Sequence, residues 1–372
     1  MLFQYGKPVT GSLFYDRRQM KAKAKDFIQI NQSFMLKAPR RYGKTSLIKQ
    51  ILQENQYDYF YGDLRRLPRL SLFNEHLIDY AYSRAGISGF VSRVRENVVA
   101  FLREHRTGIN INLDLLELSV ELFSDEKRSD CECLMNALET TNTIAKELNE
   151  VFYIVLDEFQ EIKRHACHEG NILEIIRGVI QHHDHVCYIF LGSHPTLMTE
   201  IFENKASPFY NFCRKIKLDA FNIDELEPEL LAAFRSQQIV FDNPAELHDA
   251  LQRLNGHPAN TMLVMQNIER RTMHMDIRLI KKEDIEQAFN DALDELEDLM
   301  DHYISELQAK EHLFDVIYRL ANNEKQILDS RLLYQKFKML ENMGYVVKKG
   351  RGNYRIIDGL LEETLKNIWK TS

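Results

Sequence analysis

From Phe34 to about Phe221 the chain alternates short apolar runs with longer stretches whose apolar positions recur every three or four residues. Short runs rich in aromatic and β-branched residues predict strands, and the stretches between them predict amphipathic helices. The predicted strands are Ser33 to Lys37, Tyr57 to Tyr61, Phe152 to Leu156, Cys187 to Leu191 and Lys215 to Leu218. Strands separated by helices point to an α/β fold with a parallel sheet. Between the second and third strands, Asp63 to Glu150 keeps helical spacing over about ninety residues, which predicts one or more inserted helices rather than a loop.

After Phe221 the β pattern stops. Asn222 to Met300 reads as consecutive helices, broken at Asn243-Pro244 and Gly256-His257-Pro258 because proline cannot continue a helix from its N-terminal side. The last of these helices carries Ile285, Phe289, Leu293, Leu296 and Met300 on one stripe, and the acids between them form a solvated face. Leu313 to Leu320 and Arg331 to Met343 follow as helices. Then Tyr345 to Lys348 and Asn353 to Ile357 form a hairpin around Lys349-Gly350-Arg351-Gly352, ahead of a terminal helix. Helix, helix, hairpin, helix suggests a small winged-helix-like domain, trimmed because Ala321 to Leu333 is too short for a turn and a full second helix. The expected domains are 1–221, 222–300 and 301–372.

With 372 residues, 44% of them apolar, the chain can bury several cores, and its longest apolar runs are six residues, far short of the ~20 that cross a bilayer. No membrane partner is expected. The N-terminus lacks the features of a secretory signal, and five cysteines form no CxxC pair or regular framework, so a reducing, cytoplasmic setting is expected. A net charge of −7 argues against charge-driven coating of nucleic acid. Residues 305–372 nevertheless carry twelve basic and nine acidic side chains, with Lys348, Lys349, Arg351 and Arg355 on or beside the hairpin. That leaves a DNA contact through the C-terminal domain and a plain solvated hairpin both open.

The strongest chemical signal is Ala38-Pro39-Arg40-Arg41-Tyr42-Gly43-Lys44-Thr45-Ser46, between a predicted strand and a predicted helix. A triphosphate is wrapped by backbone N–H groups and favoured by the positive end of a helix. Gly43 supplies the bend, Lys44 a mobile charge for the β- and γ-phosphates, and Thr45 a hydroxyl for Mg²⁺. Ala38 departs from the pattern G-x-x-x-x-G-K-[ST], whose first position is glycine. A second signal is Val151 to Leu156 ending in Asp157-Glu158: phosphoryl transfer needs one carboxylate for the metal, suited to Asp157, and one to polarise water, suited to Glu158. The guanine-reading motif Asn-Lys-x-Asp has only a near match, Asn204-Lys205-Ala206-Ser207, which disfavours GTP. His165, Cys167 and His168, and His182, His183 and His185, lack the paired spacing of a zinc site and read as structural or surface residues.

Tyr5-Gly6-Lys7-Pro8-Val9-Thr10-Gly11 with Asp16-Arg17, then Ala38 to Leu47, then Leu156-Asp157-Glu158-Phe159-Gln160 resemble the archaeal-type ATPases of the STAND branch of AAA+-like P-loop proteins, across nearly the whole chain. The resemblance implies a P-loop NTPase three-layer sandwich, a helical lid and a winged helix, with ATP and Mg²⁺ as cofactors. It implies that Tyr5 to Arg17 lies against adenine, that Ser193 ends the sensor strand beside the γ-phosphate, and that Gly256-His257-Pro258 brings Pro258 to the base. It further implies that Arg214 is an arginine finger, supplied in cis or by a neighbouring copy. The function expected on these grounds is an ATP-hydrolysing switch that couples nucleotide state to domain arrangement and to a protein partner or homo-oligomer. A nucleotide-responsive DNA-binding module with little turnover and a helper ATPase that remodels a nucleoprotein complex are the alternatives.

Overall fold

The computed structural model describes residues 1–67, 69–93, 129–165, 167, 170–350 and 352–368. By packing the chain divides into two compact units, Met20–Lys37 with Ile51–Lys217, and Met1–Gln19 with Ala38–Gln50 and Leu218–Ser372. Helix α2 (Lys44–Glu54) runs from one stretch into the other.

The first unit is built on five parallel strands: β1 (Phe34–Lys37), β2 (Tyr59–Asp63), β3 (Phe152–Asp157), β4 (Val186–Gly192) and β5 (Arg214–Lys217), in the order β2-β3-β4-β1-β5. Every residue of β3 and β4 is buried, on both pleat faces, as a central strand in a sheet covered on both sides requires. The helices of this unit are α1 (Arg18–Gln29), α3 (Leu70–Arg84), α4 (Asp130–Glu147), α5 (Ile172–Ile180) and α6 (Pro195–Glu203). Local chemistry sets their starts. Ser129 and Glu132 close a reciprocal capping box on α4, Asn171 caps α5 through its side-chain oxygen, and Pro195 occupies the first turn of α6.

The five strands match those predicted, with shifts of one or two residues. The start of β2 moves from Tyr57 to Tyr59 because the Tyr57 N–H is spent on the Leu52 carbonyl, 2.9 Å away, in the turn that ends α2. Of the inserted stretch, α3 and α4 are helical as predicted, and 94–128 lies outside the described residues. Although the cysteines show no CxxC pair or regular framework, Cys131 at the start of α4 and Cys167 form a disulfide, with Cα atoms 5.8 Å apart and a sequence separation of 36. Packing, not spacing, makes that pair, so no sequence pattern announced it. Cys187 and Cys213 are buried thiols outside that disulfide.

The second unit contains α7 (Ile223–Ser236), α8 (Pro244–Arg253), α9 (Pro258–Met275), α10 (Lys282–Glu295), α11 (Glu297–Gln308), α12 (Leu313–Ala321), α13 (Ser330–Met343), an antiparallel hairpin of β8 (Val346–Gly350) and β9 (Asn353–Ile356), and α14 (Gly359–Asn367). The predicted breaks hold: Asn243 caps α8 and His257 caps α9, each followed by proline at the first helical position. Two corrections apply. The β pattern does not vanish after Phe221, since β6 (Val240–Phe241) and β7 (Leu279–Ile280) pair in parallel; two-residue strands are too short to show a period. The apolar stripe Ile285 to Met300 also runs over two helices, not one, because the chain breaks at Leu296 without interrupting the spacing.

The C-terminal hairpin and α14 are docked within this unit on the turn between α8 and α9. The Asn255 amide donates to the Ile356 carbonyl (3.0 Å) and to Glu362 (2.9 Å), while Asn260 donates to Asp358 (2.6 Å), which in turn caps α14. Gly359 sits where a Cβ would collide with the Arg253 carbonyl oxygen and the Leu254 backbone, neither of which can swing away. Gly359→Ala is expected to cost about 1–3 kcal/mol of stability, the usual penalty of overpacking, read as a lower urea midpoint at unchanged slope.

Candidate functional site

The phosphate loop leaves β1 at Lys37 and enters α2 at Lys44. Two consecutive bends define it: Arg41 at φ +62° and Gly43 at φ +80°, a value for which glycine is the default residue. Ala38 is buried and is not among the positive-φ residues, so the first loop position asks for no glycine and the departure from the motif costs no strain. Lys44 is only 6% exposed, its ammonium donating to the Ala38 and Pro39 carbonyls, both at 3.1 Å. Thr45 follows in the first turn of α2.

The rest of the loop is held from the N-terminal segment. The Val9 N–H donates to Ser46 Oγ (3.1 Å) and the Gly11 N–H to Gln50 Oε1 (2.6 Å), which commits Ser46 to that segment. Arg41 donates to Tyr5 Oη at 2.9 Å. Arg17, at φ +75° and buried, donates to the carbonyls of Asp219 (2.5 Å), Ala220 (3.2 Å) and Tyr42 (3.3 Å) and lies over the Phe221 ring at 4.6 Å. Burial pulls its pKa down to about 10, so the guanidinium stays charged at neutral pH. Sequence reading assigned Arg17 no role of its own. Its signal is positional only, a lone arginine ahead of the loop.

Gly256-His257-Pro258 belongs to the same unit. Gly256 (φ +64°) leaves no room for a Cβ, which would meet the Phe221 carbonyl at 2.8 Å, and Phe221 N–H donates to its own carbonyl at 2.8 Å. The His257 ring lies edge-on to Tyr42, centroids 5.1 Å apart. His257 Nδ1 accepts the Asn260 N–H at 3.3 Å, and burial pushes the imidazole pKa down, so it is neutral. Pro258 is buried at the first position of α9.

In the sheet unit the register aligns Lys37 with Gly192 and Phe190 with Leu156, so β1, β4 and β3 end at one edge. That edge carries the carboxylates. Asp157, 5% exposed, accepts Tyr61 Oη at 2.5 Å and the Glu158 N–H at 2.9 Å. Glu158 turns out of the sheet in the left-handed region (φ 55°, ψ 44°), and a 3-10 helix (Phe159–Arg164) starts behind it. Its Oε2 accepts Ser193 Oγ (2.6 Å), Ser193 N–H (3.2 Å) and Gln160 Nε2 (2.6 Å), while Arg65 stands 3.3 Å from Oε1. Arg65 also donates to Ser193 Oγ at 3.4 Å. The end of β4 and the end of β3 are thus joined through side chains. Tyr61 and Arg65 were missed as site residues, because only strand adjacency brings the β2 end to the acids; Gln160, two residues after Glu158 in the Leu156 to Gln160 run, was given no role of its own.

Arg214 is not brought to this edge. It opens β5 opposite Phe34, three residues and about 10 Å back along the strands from Lys37, and it is exposed. Arg214 thus starts β5, at the opposite end of the strands from the carboxylates, and does not meet them within the chain. Of the hairpin cations, Arg355 is exposed and donates from Nε to Asn255 Oδ1 at 2.8 Å, and Arg351 lies outside the described residues. His183 bonds Tyr188 Oη at 2.9 Å, with its pKa pushed down by burial, and Cys167 is in the disulfide. No helix among the described residues is long and apolar enough to cross a membrane.

A parallel sheet of order β2-β3-β4-β1-β5, with the loop after β1 and Asp157-Glu158 at the end of β3, has the P-loop NTPase fold. The chain is similar in structure to the Walker-type ATPase PABY2304 of Pyrococcus abyssi, at TM-score 0.66 and 19% identity, covering 98% of this chain and 100% of that one. It is also similar to the Aeropyrum pernix ORC2 protein in its ADP form, at TM-score 0.56 and 13% identity over 100% of this chain and 99% of that one. The same ORC2 protein with ADPNP and ADP gives TM-score 0.55 at 13% identity, over 95% of this chain and 94% of that one. No protein-family model and no curated protein sequence matches the chain.

Proposed function

We propose that the protein binds ATP with Mg²⁺ and hydrolyses it, acting as a switch whose arrangement follows the nucleotide. The observation that carries the reading is the Glu158–Ser193 pair: a carboxylate and a hydroxyl from adjacent strand ends, held 2.6 Å apart at the edge where the chain enters the phosphate loop. The solved structures similar to it include a Walker-type ATPase and a protein bound to ADP and ADPNP, which supports the nucleotide class.

In this reading the backbone N–H groups of the loop from Arg40 to Gly43 and the Lys44 ammonium take the phosphates, and Glu158 orients and deprotonates the attacking water, with Ser193 marking its place. The Thr45 hydroxyl and the Asp157 carboxylate are hard oxygen donors that fit magnesium and would hold it; the ion would neutralise phosphate charge. Tyr5 to Arg17 and Pro258 would border the base. Arg17 binds both the loop, at Tyr42, and the 219–221 segment that leads into α7, so a phosphate-induced shift of the loop reaches the lid helices through one side chain. Arg214 would act, if at all, on a neighbouring copy.

Fluorescent ADP anisotropy and phosphate release from MgATP by the purified chain test the reading together. Saturable binding that ATP competes away, with turnover abolished by EDTA, is the expected result. Absence of both binding and turnover would reject it. Duplex DNA titrated at two salt concentrations separates the DNA-module alternative, whose binding would weaken steeply with salt.

A further inference from the structure

We propose that Gln160 is a positioning residue for the water-polarising carboxylate, holding Glu158 in the rotamer that faces Ser193. The inference rests on the hydrolase reading above and adds to it a residue that touches neither nucleotide nor water.

The geometry begins with the backbone. Glu158 is a non-glycine residue in the left-handed region, a sparsely populated conformation, and this turn lets the 3-10 helix start at once, so that Gln160 comes back beside the Glu158 side chain. Gln160 Nε2 then donates to Glu158 Oε2 at 2.6 Å, with a second, longer contact to Glu161 Oε1 at 3.4 Å. The sense of the amide is forced, because the flipped form would press a carbonyl oxygen against a carboxylate oxygen at the same distance.

That choice leaves Gln160 Oε1 pointing away from the acid. Gln160 is 3% exposed and its Oε1 has no hydrogen-bond partner among the described residues, an unfavourable position for a buried acceptor. The atom occupies room that exists only because residue 192 is glycine: a Cβ there would lie 2.8 Å from Oε1 and would collide with Met198. An apolar side chain of similar length would avoid the orphaned oxygen. A glutamine is worth having here for its other end, the N–H on Glu158.

The consequence for the chemistry follows from the count of donors. Glu158 Oε2 accepts three N–H or O–H donors, from Gln160 and Ser193, which fix the rotamer of the carboxylate. Removing one donor loosens that rotamer and misplaces the reacting group.

The test uses the whole chain and MgATP turnover. Gln160→Met is expected to lower kcat by about 10- to 100-fold, as mispositioning of a reacting group does, with KM and ADP affinity within about twofold of the parent. The melting temperature should hold or rise. A kcat equal to the parent's would overturn the proposal. So would a loss of kcat matched by a loss of ADP affinity and of thermal stability, the signature of a purely structural residue. Should Gln160→Met fail to fold, Gln160→Glu keeps the shape, removes the N–H donor and sets a second carboxylate against Glu158. Its kcat must then fall at least as far with ADP affinity kept, and a kcat equal to the parent's overturns the proposal. A parent without turnover, or a Glu158→Gln variant as active as the parent, would instead reject the hydrolase reading itself.

Discussion

Replacing Lys44 with alanine is expected to bring ATP turnover to background, a loss of at least about 10²- to 10³-fold, and to weaken MgATP binding by about tenfold or more. The size of the effect follows from where the charge is kept. The Lys44 ammonium is nearly enclosed and bonded to the Ala38 and Pro39 carbonyls at 3.1 Å, the oxygens of the loop that would surround the phosphates. Its attraction for a polyphosphate is therefore little screened by water, and alanine leaves the loop without a cation at that point. Arginine is no substitute, because a planar guanidinium is larger than the ammonium and cannot act as a compact point charge. Phosphate release and fluorescent nucleotide titration measure the two effects. A Lys44→Ala protein that hydrolyses ATP like the parent would show that the phosphates lie elsewhere.

The second large effect separates binding from chemistry. Glu158→Gln is expected to retain nucleotide affinity and to lose about 10²- to 10⁴-fold in turnover, the usual contribution of a positioned general base. The amide can present its carbonyl oxygen to Ser193 and Gln160, so the contacts on Oε2 survive in the variant. What it lacks is a proton acceptor, and its NH₂ then faces the Arg65 guanidinium across the 3.3 Å that the ion pair spans in the parent. Arg65 is 42% exposed and can turn outward into solvent, so fold stability should change little. Equal turnover in variant and parent would remove Glu158 from the chemistry.

The two experiments probe opposite sides of one dependence on fold. Lys44 works from the first turn of a helix and Glu158 from a strained turn at a strand end, and the two motifs lie more than a hundred residues apart in sequence. In the sheet unit, β4 stands between β1 and β3, which places Ser193 beside Glu158 and makes β4 the strand that links the loop strand to the acidic strand.

Much of this was legible from local chemistry. The strands with their apolar runs, the proline and asparagine signals at Asn243-Pro244 and His257-Pro258, and the hairpin with its flanking helices are set by contacts within a few residues, and each is found within one or two positions of its expected place. The loop Ala38 to Ser46 and the pair Asp157-Glu158 were read from residue types whose spacing in the chain is itself the signal. Even the alanine at the loop's first position, a mismatch by pattern, is explained once its ordinary backbone angle is known.

The features that escaped the sequence are those made by residues far apart in it. Strand order, the Cys131–Cys167 bond, the placing of Arg214 on a strand start opposite Phe34, and the donors around the acids all depend on which elements pack side by side. Tyr61 reaches Asp157 across 96 residues, and Ser193 reaches Glu158 across 35. Periodicity and turn residues record only what a segment does to its own backbone, so the chain alone could name the phosphate loop and the two acids. The partners that orient those acids were decided by the burial of β3 and β4 between their neighbours, because only the closed sheet brings those side chains within hydrogen-bond reach.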